Sequence, residues 1–437
     1  MSVHRAATGL IAFISVLALV SSGCPAEPLG EAIDREATAI EARLIDWRRD
    51  IHQNPELGNQ EFRTAALVAA HLEKFGYEVR SRVAHTGVVA VLRGGKPGPV
   101  IALRADMDAL PVTEQVDLPF ASKARATWLG REVGVMHACG HDAHTAILMA
   151  AAEIFAKLRS ELPGTVKLIF QPAEESLPQT EIWGAQLMVK EGVLENPKPD
   201  AIFGLHVTPR QHSGQLSYRA GAVMAGSDNF RITVKGKQTH GAQPWDGVDP
   251  IVIGAQIVMA LQTITSRLIN VTKDPAVLSI GAFNAGNRQN IIPDSAEMLG
   301  TLRTYDLEMR DFIMRRVNDT AKAVALSGGG DAVVEWSSGY LPLINNVALT
   351  NRMAPTLKRV AGPGNLLEVP RLTAAEDFSY FAHVVPGFYF YVGVTPTNEH
   401  PFRVAPNHSP RFKVDEAGLI TGLRALLHLT FDFLSAG

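Results

Sequence analysis

Short apolar runs alternate with helical patterns along most of the chain, and this alternation constrains the fold more than any other feature. The runs with the length of buried strands are 88–92, 100–103, 166–170, 201–205 and 388–392. Helical spacing of apolar residues covers 33–51, 61–75, 144–160, 185–191, 375–383 and 415–434. Strands that alternate with helices favour a mainly parallel sheet with helices on both faces, so we expect an α/β fold.

A different order of elements interrupts this pattern near Gly221. The strand-like segments here are 230–234, 277–283, 296–302 and 332–336, and the helical ones are 250–268 and 309–326. This is the β-α-β-β-α-β order of a ferredoxin-like unit. We expect an inserted α+β domain at residues 220–338, between two parts of the α/β domain at 27–219 and 339–437.

The N-terminus has the layout of a secretory signal peptide. A weakly basic start at His4 and Arg5 precedes an apolar stretch, residues 10–20, and then small residues at 21–23. The stretch is shorter than the roughly 20 residues of a membrane span. We expect a signal peptide at 1–26 and an exported protein, periplasmic or secreted, with no membrane span once it is mature. An uncleaved anchor and a lipid at Cys24 are the alternatives.

Charge and cysteine content argue against some classes of function and favour others. The net charge is −3 and no long Lys/Arg run occurs, which argues against a nucleic-acid partner. Of the two cysteines, Cys24 lies in the targeting segment, so Cys139 is alone in the mature chain. An unpaired thiol in an exported protein is open to oxidation, and metal binding would explain its presence.

The segment from Cys139 to His141 is the strongest candidate for a metal site. A cysteine and a histidine two residues apart at the start of a helix can point at one metal ion, and Gly140 lets the backbone turn between them. The alternative for this segment alone is a buried thiol beside histidines that cap a helix.

Two adjacent glutamates, Glu174 and Glu175, follow the strand-like run 166–170. Sites in open α/β sheets lie at the carboxyl ends of strands, where one carboxylate can bind a metal and its neighbour can act as a base. An ordinary solvated acidic turn is the alternative. Single histidines at 206 and 408 also follow predicted elements, and Asp108, with Asp106, could orient metal-binding histidines.

The inserted domain carries three candidates of its own. His240 is followed by Gly241 and lies after a predicted strand, from which it could reach out of its domain. Asn290 could donate from its amide, and Arg303 could bind a carboxylate. A simple turn and a strand-end ion pair are the alternatives.

Taken together, these motifs resemble those of the M20 metallopeptidase family. The similarity is greatest to its amidohydrolase branch, which includes hippurate hydrolases, indole-acetyl amino acid hydrolases and N-acyl amino acid deacylases. The matching strings are HQNPELG (52–58), RADMDALP (104–111), MHACGHDAH (136–144), FQPAEE (170–175), GKQTHG (236–241), AEDF (375–378) and NHSP (407–410). They cover nearly all of the chain after the signal peptide.

The resemblance implies roles for most of the candidates. Two divalent metal ions, zinc or manganese, would be bound by Cys139, His141, Glu175, His206 and His408. Glu174 would be the general base, and His240 of a partner subunit would stabilise the oxyanion. From their own positions in the sequence, we expect Asp108 to take part in catalysis and Asn290 and Arg303 to bind substrate.

The same resemblance implies a zinc-peptidase-like catalytic domain with an inserted lid through which a homodimer forms. The wider family has a histidine where Asp106 stands, and the amidohydrolase branch has this aspartate. We therefore expect hydrolysis of the amide bond of N-acyl amino acids or similar small amides. A dipeptidase or carboxypeptidase of the same fold, or a non-catalytic periplasmic binding protein, is the alternative.

Overall fold

A computed structural model describes residues 1–2, 28–175 and 182–436. The predicted signal peptide, apart from its first two residues, and Cys24 therefore lie outside the described residues. The α-helices of the described parts are α1 (Leu29–Gln53), α2 (Phe62–Lys74), α3 (His141–Lys157), α4 (Gly184–Lys190), α5 (Pro250–Thr263), α6 (Leu307–Ser327), α7 (Val347–Ala361), α8 (Phe378–Ala382) and α9 (Leu419–Ser435).

Eighteen strands accompany these helices in the described residues. They are β1 (Glu78–Val83), β2 (Gly87–Arg93), β3 (Lys96–Asp106), β4 (Arg125–Trp128), β5 (Arg131–Gly134), β6 (Pro163–Gln171), β7 (Ala201–His212), β8 (Leu216–Tyr218), β9 (Gly221–Met224), β10 (Gly226–Lys235), β11 (Thr239–His240), β12 (Ala276–Ala285), β13 (Ile291–Ile292), β14 (Ser295–Thr304), β15 (Asp331–Tyr340), β16 (Leu343–Asn345), β17 (Leu366–Glu368) and β18 (Gly387–Thr395).

Eight strands form the central sheet in the order β1-β2-β6-β3-β7-β18-β8-β17. The four central strands, β6, β3, β7 and β18, are parallel, and antiparallel strands flank them. β18 is buried along its whole length, as expected for a strand covered on both faces. Helices α1, α2, α3, α7 and α9 contribute to the core on one face, and α4 and α8 to the core on the other. The predicted mainly parallel α/β fold is confirmed.

The inserted segment forms a separate four-stranded antiparallel sheet in the order β12-β14-β10-β15. Helices α5 and α6 pack against it through their own apolar core, which includes Ile257, Ile313 and Val317. The sheet runs from Gly226 to Tyr340, and β9 and β16 pair with each other just outside it. The first and third strands lie in the middle, which is the arrangement of a ferredoxin-like unit. We call this segment the lid.

Some elements differ from the sequence-based expectations in detail. α3 begins at His141 rather than three residues later, because Gly140 adopts a left-handed conformation at its N-cap. Asp415 caps a short 3₁₀ turn that leads into α9. Two described stretches, Pro250–Leu268 and Glu416–Ser435, are long and apolar enough to cross a membrane by length and composition alone, and the second is mostly buried in the protein core.

Candidate active site

The predicted site residues of the catalytic domain meet at the carboxyl edge of the central parallel strands. β3 ends at Asp106, β6 ends at Gln171, and His206 lies beyond the point where β7 stops pairing with β3. The first turn of α3 contributes His141 to the same edge. Loops after parallel strands are the usual position of sites in open α/β sheets.

Cys139 lies at the centre of this cluster. Its Sγ is 3.3 Å from Nε2 of His206 and 3.3 Å from Nε2 of His408. The Nε2 atom of His408 is also 2.9 Å from Oε1 of Glu175. Residues far apart in the sequence are therefore brought within bonding distance of one thiol.

The loop that carries His408 is fixed against the Cys139 segment. Asn407 donates from Nδ2 to the carbonyl of Cys139 at 2.9 Å, and the His408 amide donates to the carbonyl of Ala138 at 2.8 Å. His408 has a φ of 68°, which is uncommon for a residue with a side chain. Such strain is characteristic of residues held in place at functional sites.

Aspartates orient the histidines of α3. His141 Nδ1 lies 2.8 Å from the carbonyl and 3.1 Å from Oδ1 of Asp108, which leaves Nε2 facing the cluster. His144 differs, because its Nε2 accepts from the amide of Val207 and its Nδ1 donates to Asp106 at 2.6 Å. Asp108 thus supports a ligand, and both ring nitrogens of His144 are already bonded.

Glu174 and Glu175 lie in a turn that directs their side chains to different neighbours. Ala173, before them, has a φ of 49°, and its amide donates to the buried carboxylate of Glu61 at 2.8 Å. Glu174 is almost fully buried, and the amide of Asp377 lies 3.4 Å from its Oε1. Glu175 faces His408 and is partly exposed. The two adjacent carboxylates therefore lie in different surroundings and can have different chemical roles.

Burial and neighbouring charges shift the pKa values of several side chains in the cluster. Burial and the carboxylates of Glu175 and Glu174 raise the pKa of the Cys139 thiol well above its ordinary value. Burial and the carboxylate of Glu376 raise the pKa of Glu174 in the same way. Burial lowers the pKa of His206 well below its ordinary value. Cations among these groups would favour the thiolate, the carboxylate and the neutral imidazole, which are the forms that bind metal.

The residues present fit a pair of divalent metal ions. Thiol, imidazole and carboxylate donors lie within 4.8 Å of one another in overlapping groups, such as Cys139 with His141 and His206, and Cys139 with Glu175 and His408. The Nε2 atom of His141 is buried and has no hydrogen-bond partner among the described residues. A buried polar atom without a partner is costly, and metal ligation would satisfy it.

A buried ionic network behind the site carries residues that the sequence analysis assigned no role. Arg104 is fully buried and bonds Asp106 at 2.6 Å, and Glu376 and Asp377 at 2.9 Å each. Tyr389 donates to Glu376 at 2.5 Å. The network holds the floor of the site in place. The strings RADMDALP (104–111) and AEDF (375–378) contain all of these residues except Tyr389, but the pairing between the two strings is long-range and has no local sequence signal.

The cluster opens into a cavity of about 440 Å³ between the catalytic domain and the lid. Arg303 lines this cavity together with Ser227, to which it donates a hydrogen bond, and with Tyr340 and Met224. His240 and Asn290 are exposed on β11 and just before β13, and neither is among the described residues that line the cavity. The structure therefore brings Arg303 to the site and leaves His240 and Asn290 on the lid surface.

Comparison with known proteins decides the family. The family model described as "Peptidase family M20/M25/M40" matches residues 102–432, which include the metal-ligand candidates and the lid. The chain belongs to this family.

The proteins to which this chain is similar include a deacetylase and a carboxypeptidase. The chain is 37% identical to N-acetyl-L-cysteine deacetylase of Bacillus subtilis over 88% of this chain and 86% of that protein. It is 39% identical to thermostable carboxypeptidase 2 of Saccharolobus solfataricus over 93% of this chain and 99% of that protein.

A solved structure from the same family is also similar. The YXEP protein of Bacillus subtilis, described as a dinuclear metal binding peptidase, matches with a TM-score of 0.76 and 35% identity over 91% of this chain and 99% of that chain. The M20 membership and the donor cluster together identify a metal-dependent hydrolase.

Proposed function

We propose that this M20 protein hydrolyses the amide bond of N-acyl amino acids or similar small amides with two divalent metal ions. One observation carries the proposal: two adjacent carboxylates, Glu174 and Glu175, lie beside the group of metal-ligand candidates around Cys139. His141, His206 and His408 complete the ligand set. Thiolate with imidazoles favours zinc by softness, and manganese is the alternative because metal availability can override softness.

Each side chain then has a distinct task. When bound, two divalent ions would supply the Lewis acidity that activates an amide carbonyl and a water molecule. Glu175 has the ligand position, because its carboxylate faces His408 and Cys139. Glu174 accepts the proton of the attacking water at its carboxylate and returns it to the leaving nitrogen. Asp108 keeps the His141 ring in the orientation that directs Nε2 into the cluster.

The cavity suggests how an N-acyl amino acid is bound. Arg303 lies in the wall formed by the lid, and a guanidinium suits a free carboxylate. Met224, Leu372 and Tyr391 offer an apolar surface in the same cavity. A small molecule with one carboxylate and one apolar group fits this lining.

A carboxypeptidase is the second candidate, because one relative carries that name and Arg303 would also suit a peptide carboxylate. Purified protein should be assayed with metal on matched N-acyl amino acids and dipeptides that share the same C-terminal residue. Faster turnover of the N-acyl amino acids supports the proposal, and faster turnover of the dipeptides favours the second candidate. Binding without turnover under any divalent metal would favour a binding protein.

We also propose that the protein is a homodimer through the lid. Apolar side chains are exposed along α5 and the edge strand β12, among them Val252, Met259 and Val277. Pairing of two such surfaces would bury them, and a symmetric dimer is the commonest oligomer. His240 and Asn290, on the lid surface, would then be available to the site of the partner subunit.

We also propose that the protein is exported, because the apolar stretch 10–20 and the small residues after it have the layout of a signal peptide. We expect the mature protein from its native host to begin between Cys24 and Glu27. Mass spectrometry of the N-terminus measures this directly. An intact Met1 or Ser2 terminus would argue against cleavage, and an added lipid mass would identify the anchored form.

A further inference from the structure

The peptide unit between Glu174 and Glu175 is held from both sides. Its N–H, on Glu175, donates to Oδ2 of Asp108 at 3.0 Å. Its C=O, on Glu174, accepts from the hydroxyl of Tyr340 at 2.9 Å. Asp108 belongs to the catalytic domain, whereas Tyr340 is the last residue of β15 in the lid sheet. The peptide that joins the proposed base to the proposed ligand is therefore bonded to both structural units.

Tyr340 is itself placed by the lid. It pairs in register with Ser227 of β10, and the hydroxyl of Ser227 accepts from the guanidinium of Arg303. Its ring packs edge-on against Trp183, with centroids 6.1 Å apart. A movement of the lid sheet would thus displace the Tyr340 hydroxyl relative to the Glu174 carbonyl.

We propose that Tyr340 is a positioning residue through which the lid sets the orientation of Glu174. The inference rests on the proposed function, in which Glu174 moves the proton. Rotation of the 174–175 peptide plane would swing both carboxylates, because each is attached to a Cα that flanks this plane. The Asp108 bond restrains one edge of the plane, and the Tyr340 bond restrains the other only while the lid occupies the position seen here.

This arrangement connects substrate recognition to the base. Arg303, Ser227 and Tyr340 form a continuous line of contacts from the cavity wall to the Glu174 carbonyl. A carboxylate that draws Arg303 toward the site would act on the strands that carry Tyr340. Small misplacements of a catalytic group lower turnover strongly, so one hydrogen bond at this peptide has a measurable effect.

The test is Tyr340→Phe, which removes the hydroxyl and keeps the ring against Trp183. The matched control is Tyr305→Phe, because Tyr305 also joins the lid to the catalytic domain, through a 3.0 Å bond to the carbonyl of Leu372, without touching Glu174. We expect Tyr340→Phe to lower kcat about three- to tenfold, the range of one hydrogen bond, with KM and metal content within twofold. The control should change kcat less than about twofold.

A double-mutant cycle separates positioning of the base from a general effect on the fold. In a Glu174→Asp background the base is already displaced, so Tyr340→Phe should lower kcat less than about twofold. Equal effects of Tyr340→Phe in both backgrounds, or equal kcat losses for Tyr340→Phe and Tyr305→Phe, would overturn the inference. The absence of metal-dependent turnover in the unaltered protein would instead refute the proposed function, and the inference with it.

Discussion

Cys139 illustrates how far single residues could be interpreted from the sequence. Its isolation in the chain expected after signal-peptide cleavage and its spacing from His141 predicted a metal-binding thiol, because those two signals can be recognised in the sequence. His206 and His408 gave weaker signals, since a lone histidine in a loop is usually just polar. The structure brings both to 3.3 Å from Sγ, a proximity created by the parallel sheet and the docked 407–408 loop.

Removal of the Cys139 thiol should lower both metal affinity and turnover. Cys139→Ala should lose metal affinity by more than the roughly 10–100-fold that loss of a ligand's supporting partner costs. Turnover should fall in parallel, because the same cluster serves both. Metal content by mass spectrometry and turnover on an N-acyl amino acid measure the two effects. A variant with full metal occupancy would show that the thiol is not a ligand.

Among the secondary-structure elements, most helices and long strands could be predicted from the sequence, whereas several short strands could not. The long buried strands and amphipathic helices follow from periodicity, so β2, β3, β6, β7 and β18 lie where apolar runs predicted them. Short strands such as β8, β16 and β17 have only three residues each, which is too few to show a period. They form because neighbouring strands offer backbone partners, a tertiary effect.

Gly140, at the start of α3, should set the relative positions of Cys139 and His141. Gly140 has a φ of +100°, and a Cβ there would lie 2.3 Å from Cγ2 of Val207. Gly140→Ala should shift Cys139 relative to His141 and weaken metal binding. Gly214→Ala is the matched control, because its φ is +90° with nothing within 4 Å of an added Cβ.

The control should lose about 1–2 kcal/mol of stability from backbone strain and keep its metal affinity. Isothermal titration with zinc and a thermal melt distinguish the two effects. Equal metal affinity in both glycine variants would mean that the geometry at Gly140 does not set the ligand positions.

The described residues combine a catalytic sheet that is fixed by the long-range ion pairs of Arg104 with Glu376 and Asp377 and a lid built around its own core. The change of element order near Gly221 is visible in the sequence, and the second sheet begins close to it, at Gly226. The contact of Tyr340 with Glu174 could not be predicted, since it depends on how the lid sits over the site. The same holds for the exposed position of His240.

The lid position predicts complementation between subunits. His240→Ala should lower turnover roughly 10²-fold or more, as for loss of an oxyanion donor, with normal metal content. If His240 serves the partner's site, mixing His240→Ala with inactive Glu174→Ala chains should restore roughly a quarter of the activity by random pairing in dimers. No recovery after verified subunit exchange would place His240 outside the partner's site.

In the proposed reaction Glu174 moves the proton while Glu175 holds the metal, and a substitution of Glu174 separates these two roles. Glu174→Gln keeps the shape of the side chain and removes its basicity. Metal content and substrate KM should stay close to those of the unaltered protein, while kcat on an N-acyl amino acid should fall ~10²–10⁴-fold. Glu175→Gln, the matched change one residue along, should instead lose metal. Near-normal kcat in Glu174→Gln would show that another group accepts the proton.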